Sequence, residues 1–78
     1  MGHNRDQKYI KAFGDNLRKL RLSKDLGQEE LAHRCDIPLS QVGRLERGER
    51  SPTLSTILIL ARGLGVDPSV LLEFKYKA

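Results

Sequence analysis

Asp36-Ile37-Pro38 is the stretch that most constrains the fold, because it is all that separates two segments with helical spacing of apolar residues. Three residues allow only a tight turn. Upstream, "GQEELAHRC" places Leu31, Ala32 and Cys35 on one face, with Glu29 and Glu30 in the first turn. Carboxylates suit that end of the helix dipole, so the pattern predicts a helix over residues 28–35. Downstream, Val42 and Leu45 stand at i and i+3, which predicts a helix over 39–47 with Gly48 as its stop. Only those two residues of the second helix are needed for docking, which leaves the rest of its surface uncommitted.

Helical spacing continues on both sides. Ile10, Phe13, Leu17 and Leu20 predict an amphipathic helix over about residues 6–24, with Gly27 as its stop signal. Thr53 reads as the N-cap of a helix reaching Leu64 and ended by Gly65, with Leu54, Ile57, Leu60, Ala61 and Leu64 as its core stripe. Asp67-Pro68 opens a last short helix whose apolar residues are Val70, Leu71 and Phe74. No strand pattern or repeat interrupts the series. The expected architecture is all-α: a compact five-helix domain over residues 6–74, with a flexible N-terminus at 1–5 and a C-terminal tail at 75–78.

A chain of 78 residues favours one small domain with a thin stability margin. Cys35 is the sole cysteine, so it makes no internal disulfide, and it reads as a small core residue. His3 and His33 lie too far apart for zinc spacing, and no metal or other cofactor is expected. The apolar run from Leu54 to Val66 is interrupted and too short to span a membrane, and no leader or lipidation signal is evident. A reduced, cytoplasmic setting is expected. No nucleophile–base set, carboxylate pair or phosphate-cradling glycine loop appears, so neither an enzyme nor a small-molecule ligand is expected. Net charge is +4 and unevenly spread: residues 1–26 carry seven Lys/Arg against three Asp/Glu, whereas residues 27–50 carry four against five. An anionic partner would have to meet the first segment together with selected arginines elsewhere.

Two short helices joined by such a turn match a helix-turn-helix, in which the first helix braces a second that enters the DNA major groove. Spacing alone fits other small helical bundles equally well. The run "QEELAHRCDIPLSQVGRLERGERSPTLSTILILARGLGV" goes further and resembles the phage-repressor and Cro-like helix-turn-helix family, also called the xenobiotic-response-element family. The marks are Gln28, Leu31-Ala32, Val42, Glu46-Arg47-Gly48, Pro52, Leu60-Ala61 and Leu64-Gly65-Val66; Phe13-Gly14, Leu17-Arg18 and Leu20-Arg21 match the family's first helix. The resemblance covers about residues 10–73. It implies a lambda-repressor-like domain that binds double-stranded DNA as a transcriptional regulator, with its length and architecture also resembling a restriction–modification controller.

The resemblance also implies roles. Leu39, Ser40, Gly43 and Arg44 match positions that face base edges. Arg44 suits guanine through its fork of donors, and Leu39 a thymine methyl group. Gln28 matches a phosphate ligand at the start of the first motif helix. Gln41, Arg47, Arg50, Ser51 and Thr53 are the further phosphate candidates. Arg21 and Glu46 match an ion pair that bridges the first and third helices, a structural role. Three departures stand out: Asp36 where the turn usually holds Gly, Pro38 where the recognition helix usually has a Ser or Thr cap, and Gly43 in mid-helix, which costs about 1 kcal/mol against Ala. Family members usually bind two-fold operators as dimers. Leu58, Ile59, Val70, Phe74 and Tyr76 form the candidate dimer patch, with Ile59 read as lying on the far side of the core stripe. The alternative of another class is a protein-interaction module, an antitoxin or adaptor on the same fold, which the acidic balance of residues 27–50 keeps open.

Overall fold

The computed structural model describes residues 6–75. The described residues form α1 (Gln7–Ser23), α2 (Gln28–Cys35), α3 (Leu39–Glu46) and α4 (Leu54–Leu64), then a closing 3-10 helix, Pro68–Leu72. The fifth element is therefore not an α-helix. Its bonds run i to i+3, from Val70 N to the Asp67 carbonyl and from Glu73 N to that of Val70. A five-residue segment gains little from α-helical cooperativity. The expected residues 1–5 terminus and most of the expected tail, including Tyr76, lie outside the described residues.

Side chains cap three of the described helix starts. The Asp6 carboxylate accepts from the backbone N–H groups of Lys8 and Tyr9, and Thr53 Oγ1 accepts from Thr56 N at 3.1 Å. Asp67 accepts from Ser69 N at 2.9 Å, and that bond holds its carboxyl below the usual range. Pro38 gives α3 no side-chain cap. The stops differ from expectation at one place. Gly27 does not end α1; it is the N-cap of α2. The left-handed residue that turns the chain out of α1 is Asp25, at φ 57°, and Leu26 N then bonds back to the Arg21 carbonyl. Asp36, at φ 55° and ψ 45°, makes the corresponding turn between α2 and α3. Aspartate tolerates that region better than most residues, so both turns close without glycine.

The core gathers Phe13 and Leu17 of α1, Leu31, Ala32 and Cys35 of α2, Val42 and Leu45 of α3, and Leu60, Ala61 and Leu64 of α4, closed by Leu71. Leu26, in the α1–α2 turn, is also buried, a position the helical periodicity did not reach. Leu54 is not in the core: it is 73% exposed. It is the first residue of α4, and the buried residues of that helix begin only at Leu60. Ile59, expected on the open side, is half-buried and packs against the core, and its carbonyl faces Cys35 Sγ. Burial pushes the Cys35 thiol up, against a smaller downward pull from Arg62 and Arg34. Gly63 lies inside α4, where the Cys35 sulfur packs on it.

α1 and α3 touch backbone to backbone. A Cβ on Gly14 would press on the Leu45 carbonyl oxygen and come within 2.7 Å of that of Glu46. Both neighbours are main chain at the end of α3, so neither gives way cheaply. Gly14→Ala is expected to lower stability by about 1–3 kcal/mol despite its better helix propensity. Urea unfolding checks this; a midpoint at or above the parent's would refute the close approach.

Candidate nucleic-acid interface

α3 divides sharply into two faces. Val42 and Leu45 are fully buried, and Glu46 is 4% exposed. Leu39, Ser40, Arg44 and Arg47 are exposed, with Gln41 half-buried. Leu39 therefore stands on the outer face and not in the core. The loop after α3 exposes Arg50, Ser51 and Thr53. Thr53 Oγ1 is already engaged as the α4 cap, 2.9 Å from Thr56 Oγ1.

What fixes this face is the ionic junction beneath it. Arg21 donates from Nε to Glu46 Oε2 at 2.6 Å and from Nη2 to Oε1 at 3.0 Å. Its Nη1 donates to the Leu26 carbonyl at 2.7 Å. Gln28 adds a donor to Glu46 Oε1 at 3.0 Å. The Glu46 hydrogen bond, with its charge, raises the Arg21 pKa despite desolvation. One carboxylate thus ties together α1, the following turn, the start of α2 and the end of α3. No buried side-chain nitrogen or oxygen among the described residues lacks a partner. Gln28 is committed here to orienting Glu46, so in this structure its amide N–H serves the fold.

The structure brings α1 cations to the same face, which the linear reading did not assign. Lys11, Asp15, Arg18, Gln28, Glu46 and Arg47 line a cleft of about 300 Å³. Lys11 pairs with Asp15 at 2.7 Å, whereas Arg18 makes no ion pair among the described residues. The available signal was the basic excess of residues 1–26. Arg47 is paired with Glu49 at 2.7 Å, and its guanidinium lies over Gly43. Gly43 is therefore covered by a flexible side chain and not open. Arg44 and Arg50 make no ion pair among the described residues.

Residues 17–71 match the helix-turn-helix family model HTH_3, over most of the chain. This chain belongs to the HTH_3 family. HTH_3 relatives of similar length include the control protein C.BamHI of Bacillus amyloliquefaciens, 41% identical over 80% of this chain and 78% of that one. The crystal structure of the restriction–modification controller C.AhdI from Aeromonas hydrophila is 44% identical, covers 80% of this chain and 94% of its own, and superposes with a TM-score of 0.78. The C.Esp1396I controller tetramer in complex with its natural 35 base-pair operator is 26% identical, covering 83% of this chain and 86% of its own, with a TM-score of 0.78.

Among the patch residues read as a dimer interface, Leu58 is exposed, whereas Ile59, Val70 and Phe74 are half-buried; the exposed leucines are Leu22, Leu39, Leu54, Leu58 and Leu72. Among the described residues, no helix is long and apolar enough to cross a membrane and no group of His, Cys, Asp and Glu is set to hold a metal.

Removing one partner of the junction should be costly because the other stays buried with its charge. Glu46→Ala is expected to cost about 3–5 kcal/mol, and Arg21→Met with Glu46→Leu to recover much of it. Urea unfolding of the single and double variants is the check; a single variant as stable as the parent would remove the junction's structural role.

Proposed function

We propose that this chain is a sequence-specific, double-stranded DNA-binding transcriptional regulator of the restriction–modification controller kind. It acts as a dimer on a two-fold operator, with α3 in the major groove. The observation that carries the reading is the division of α3: one face locked by Val42, Leu45 and Glu46, the other exposed and bearing Ser40, Arg44 and Arg47. Its likeness to C.AhdI, and the operator-bound state of C.Esp1396I, support it.

In this reading Arg44 reads a base edge through its guanidinium fork, with Leu39, Ser40 and Gly43 beside it. Arg47, Arg50, Ser51, Thr53 and Gln41 meet phosphate, and Gln28 does so only by sharing its amide with Glu46. Arg18 joins them from α1. Leu54 and Leu58, one turn apart on α4, supply open apolar surface for the dimer face alongside Val70 and Phe74. The chain is not an enzyme and works in the cytoplasm, where its DNA is. A regulator of this kind responds to its own concentration through dimer binding.

Selection from a random duplex library at two salt concentrations tests the reading. An enriched palindrome whose binding weakens steeply with salt is expected. Protein partners retained without salt dependence, and no enriched DNA, would favour an antitoxin or adaptor instead. On the selected site, Arg44→Ala should cost about 1–3 kcal/mol while leaving random-sequence binding nearly unchanged. An equal loss on both would reassign Arg44 to phosphate.

A further inference from the structure

A surface that meets DNA gains nothing obvious from a carboxylate, yet Glu49 is held at the end of α3. The turn that places it is well defined. Gly48 takes φ 74°, its N–H bonds the Leu45 carbonyl at 3.2 Å, and Glu49 N bonds the Arg44 carbonyl at 2.9 Å. The left-handed step folds the chain back beside the helix it has just left, so Glu49 faces Arg47 two residues earlier. Arg47 Nε then donates to Glu49 Oε2 at 2.7 Å and Nη2 to Oε1 at 3.2 Å. The remaining nitrogen, Nη1, lies over Gly43, where a Cβ would sit 2.9 Å from it. All three guanidinium nitrogens are thus placed: two on the carboxylate, one over bare helix.

This pairing has the form that phosphate would need. A carboxylate and a phosphate both offer two oxygens to a guanidinium fork, with the same sign of charge. The hydrogen bond from Arg47, with its charge and that of Arg44, holds the Glu49 carboxyl below the usual range, so the acid is ionised wherever the protein works. Both side chains are more than half exposed, and such pairs contribute little stability. The contact is therefore exchangeable, and it does little for the fold.

We propose that Glu49 is an internal counter-ion for Arg47 that competes with DNA phosphate, so that it restrains the affinity of this face for DNA. The proposal rests on the DNA-binding reading above and adds a control to it. When α3 approaches a duplex, Arg47 must leave Glu49 to neutralise a phosphate, or stay paired and forgo that contact. Either way the complex releases fewer counterions than the cations on this face allow. The concentration at which the protein occupies DNA is raised accordingly. Gly43 belongs to the device, because an added Cβ would push the Arg47 guanidinium off its resting place.

The test is a titration of duplex DNA, random-sequence and selected, across about 50 to 200 mM salt, with the parent, Glu49→Gln, Arg47→Ala and the double variant. Glu49→Gln should bind several-fold tighter at low salt. Its salt dependence should steepen by up to about one ion, so its advantage shrinks roughly threefold across that range. In the Arg47→Ala background the gain should vanish. A gain of equal size with and without Arg47 would mean that Glu49 acts only through its long-range field, and would overturn the proposal. So would unchanged or weaker binding by Glu49→Gln, which would make Glu49 a residue that aims Arg47. No duplex binding by any of the four proteins would defeat the DNA reading itself and this proposal with it.

Discussion

The Glu46 carboxylate is the point on which the arrangement of helices turns. It sits at the last residue of α3, 4% exposed, and receives three hydrogen bonds from two other segments. The same Arg21 that supplies two of them also satisfies the Leu26 carbonyl in the turn out of α1. A buried ion pair is weak evidence for net stability, because desolvation offsets much of the attraction. Its value here is geometric. A planar fork bound at both oxygens admits one relative placement of α1 and α3, where apolar contacts alone would tolerate sliding. The angle at which α3 leaves the body of the protein follows from that placement.

Tertiary contacts must do this because α3 is poor on its own. It is eight residues long, starts at Pro38 without a side-chain cap, and carries Gly43 in its middle. Isolated helices of that length are marginal even with good sequences. Val42 and Leu45 anchor it from below, Glu46 fixes its end, and Gly14 lets the α1 backbone close on the carbonyls of Leu45 and Glu46. Asn16 performs a similar service lower down, donating to the Val70 and Leu71 carbonyls at 3.0 Å and tying the closing 3-10 helix to α1. A recognition element held by its surroundings keeps its outward residues exchangeable, since few of them are needed for the fold.

Much of the fold was legible because apolar spacing and caps are local signals. The bounds of α2, the α3 stripe, the Thr53 cap and the Asp67-Pro68 start could each be read from a few neighbouring residues. The misreadings came where a residue's meaning depends on something distant. Leu54 continues the α4 row, but the burial of that row begins a turn and a half later. Ile59 looked open because its angular position was judged against one helix, whereas α2 also packs there through Cys35. Asp25 gave no signal as the turn residue, because Gly27 nearby is the commoner choice. The Arg21–Glu46 bridge was available only through resemblance; no spacing rule links residues that far apart. For the candidate interface, Arg44 and Arg47 were singled out through the resemblance and stand exposed on α3, while the cleft joining Lys11 and Arg18 to α3 needed the fold.

Charge resolves what the linear sequence left contradictory. Residues 27–50 contain the motif and yet carry more acids than bases. In space the acids of that segment are unequal. Glu46 is buried and neutralised by Arg21, Glu30 pairs with Arg34 on α2 at 3.2 Å, and Glu49 pairs with Arg47. Arg44 and Arg50 remain without ion pairs among the described residues, and α1 brings Arg18 to the cleft beside Arg47. Glu29 and Asp36 are exposed and also make no ion pair among the described residues, so they match Arg44 and Arg50 in number. The balance exceeds the segment's own count because α1 supplies Arg21 to offset Glu46 and brings Arg18 beside Arg47. A net charge summed along the chain misses this, since what an approaching polyanion meets is the set of charges left uncompensated within about a Debye length of the surface.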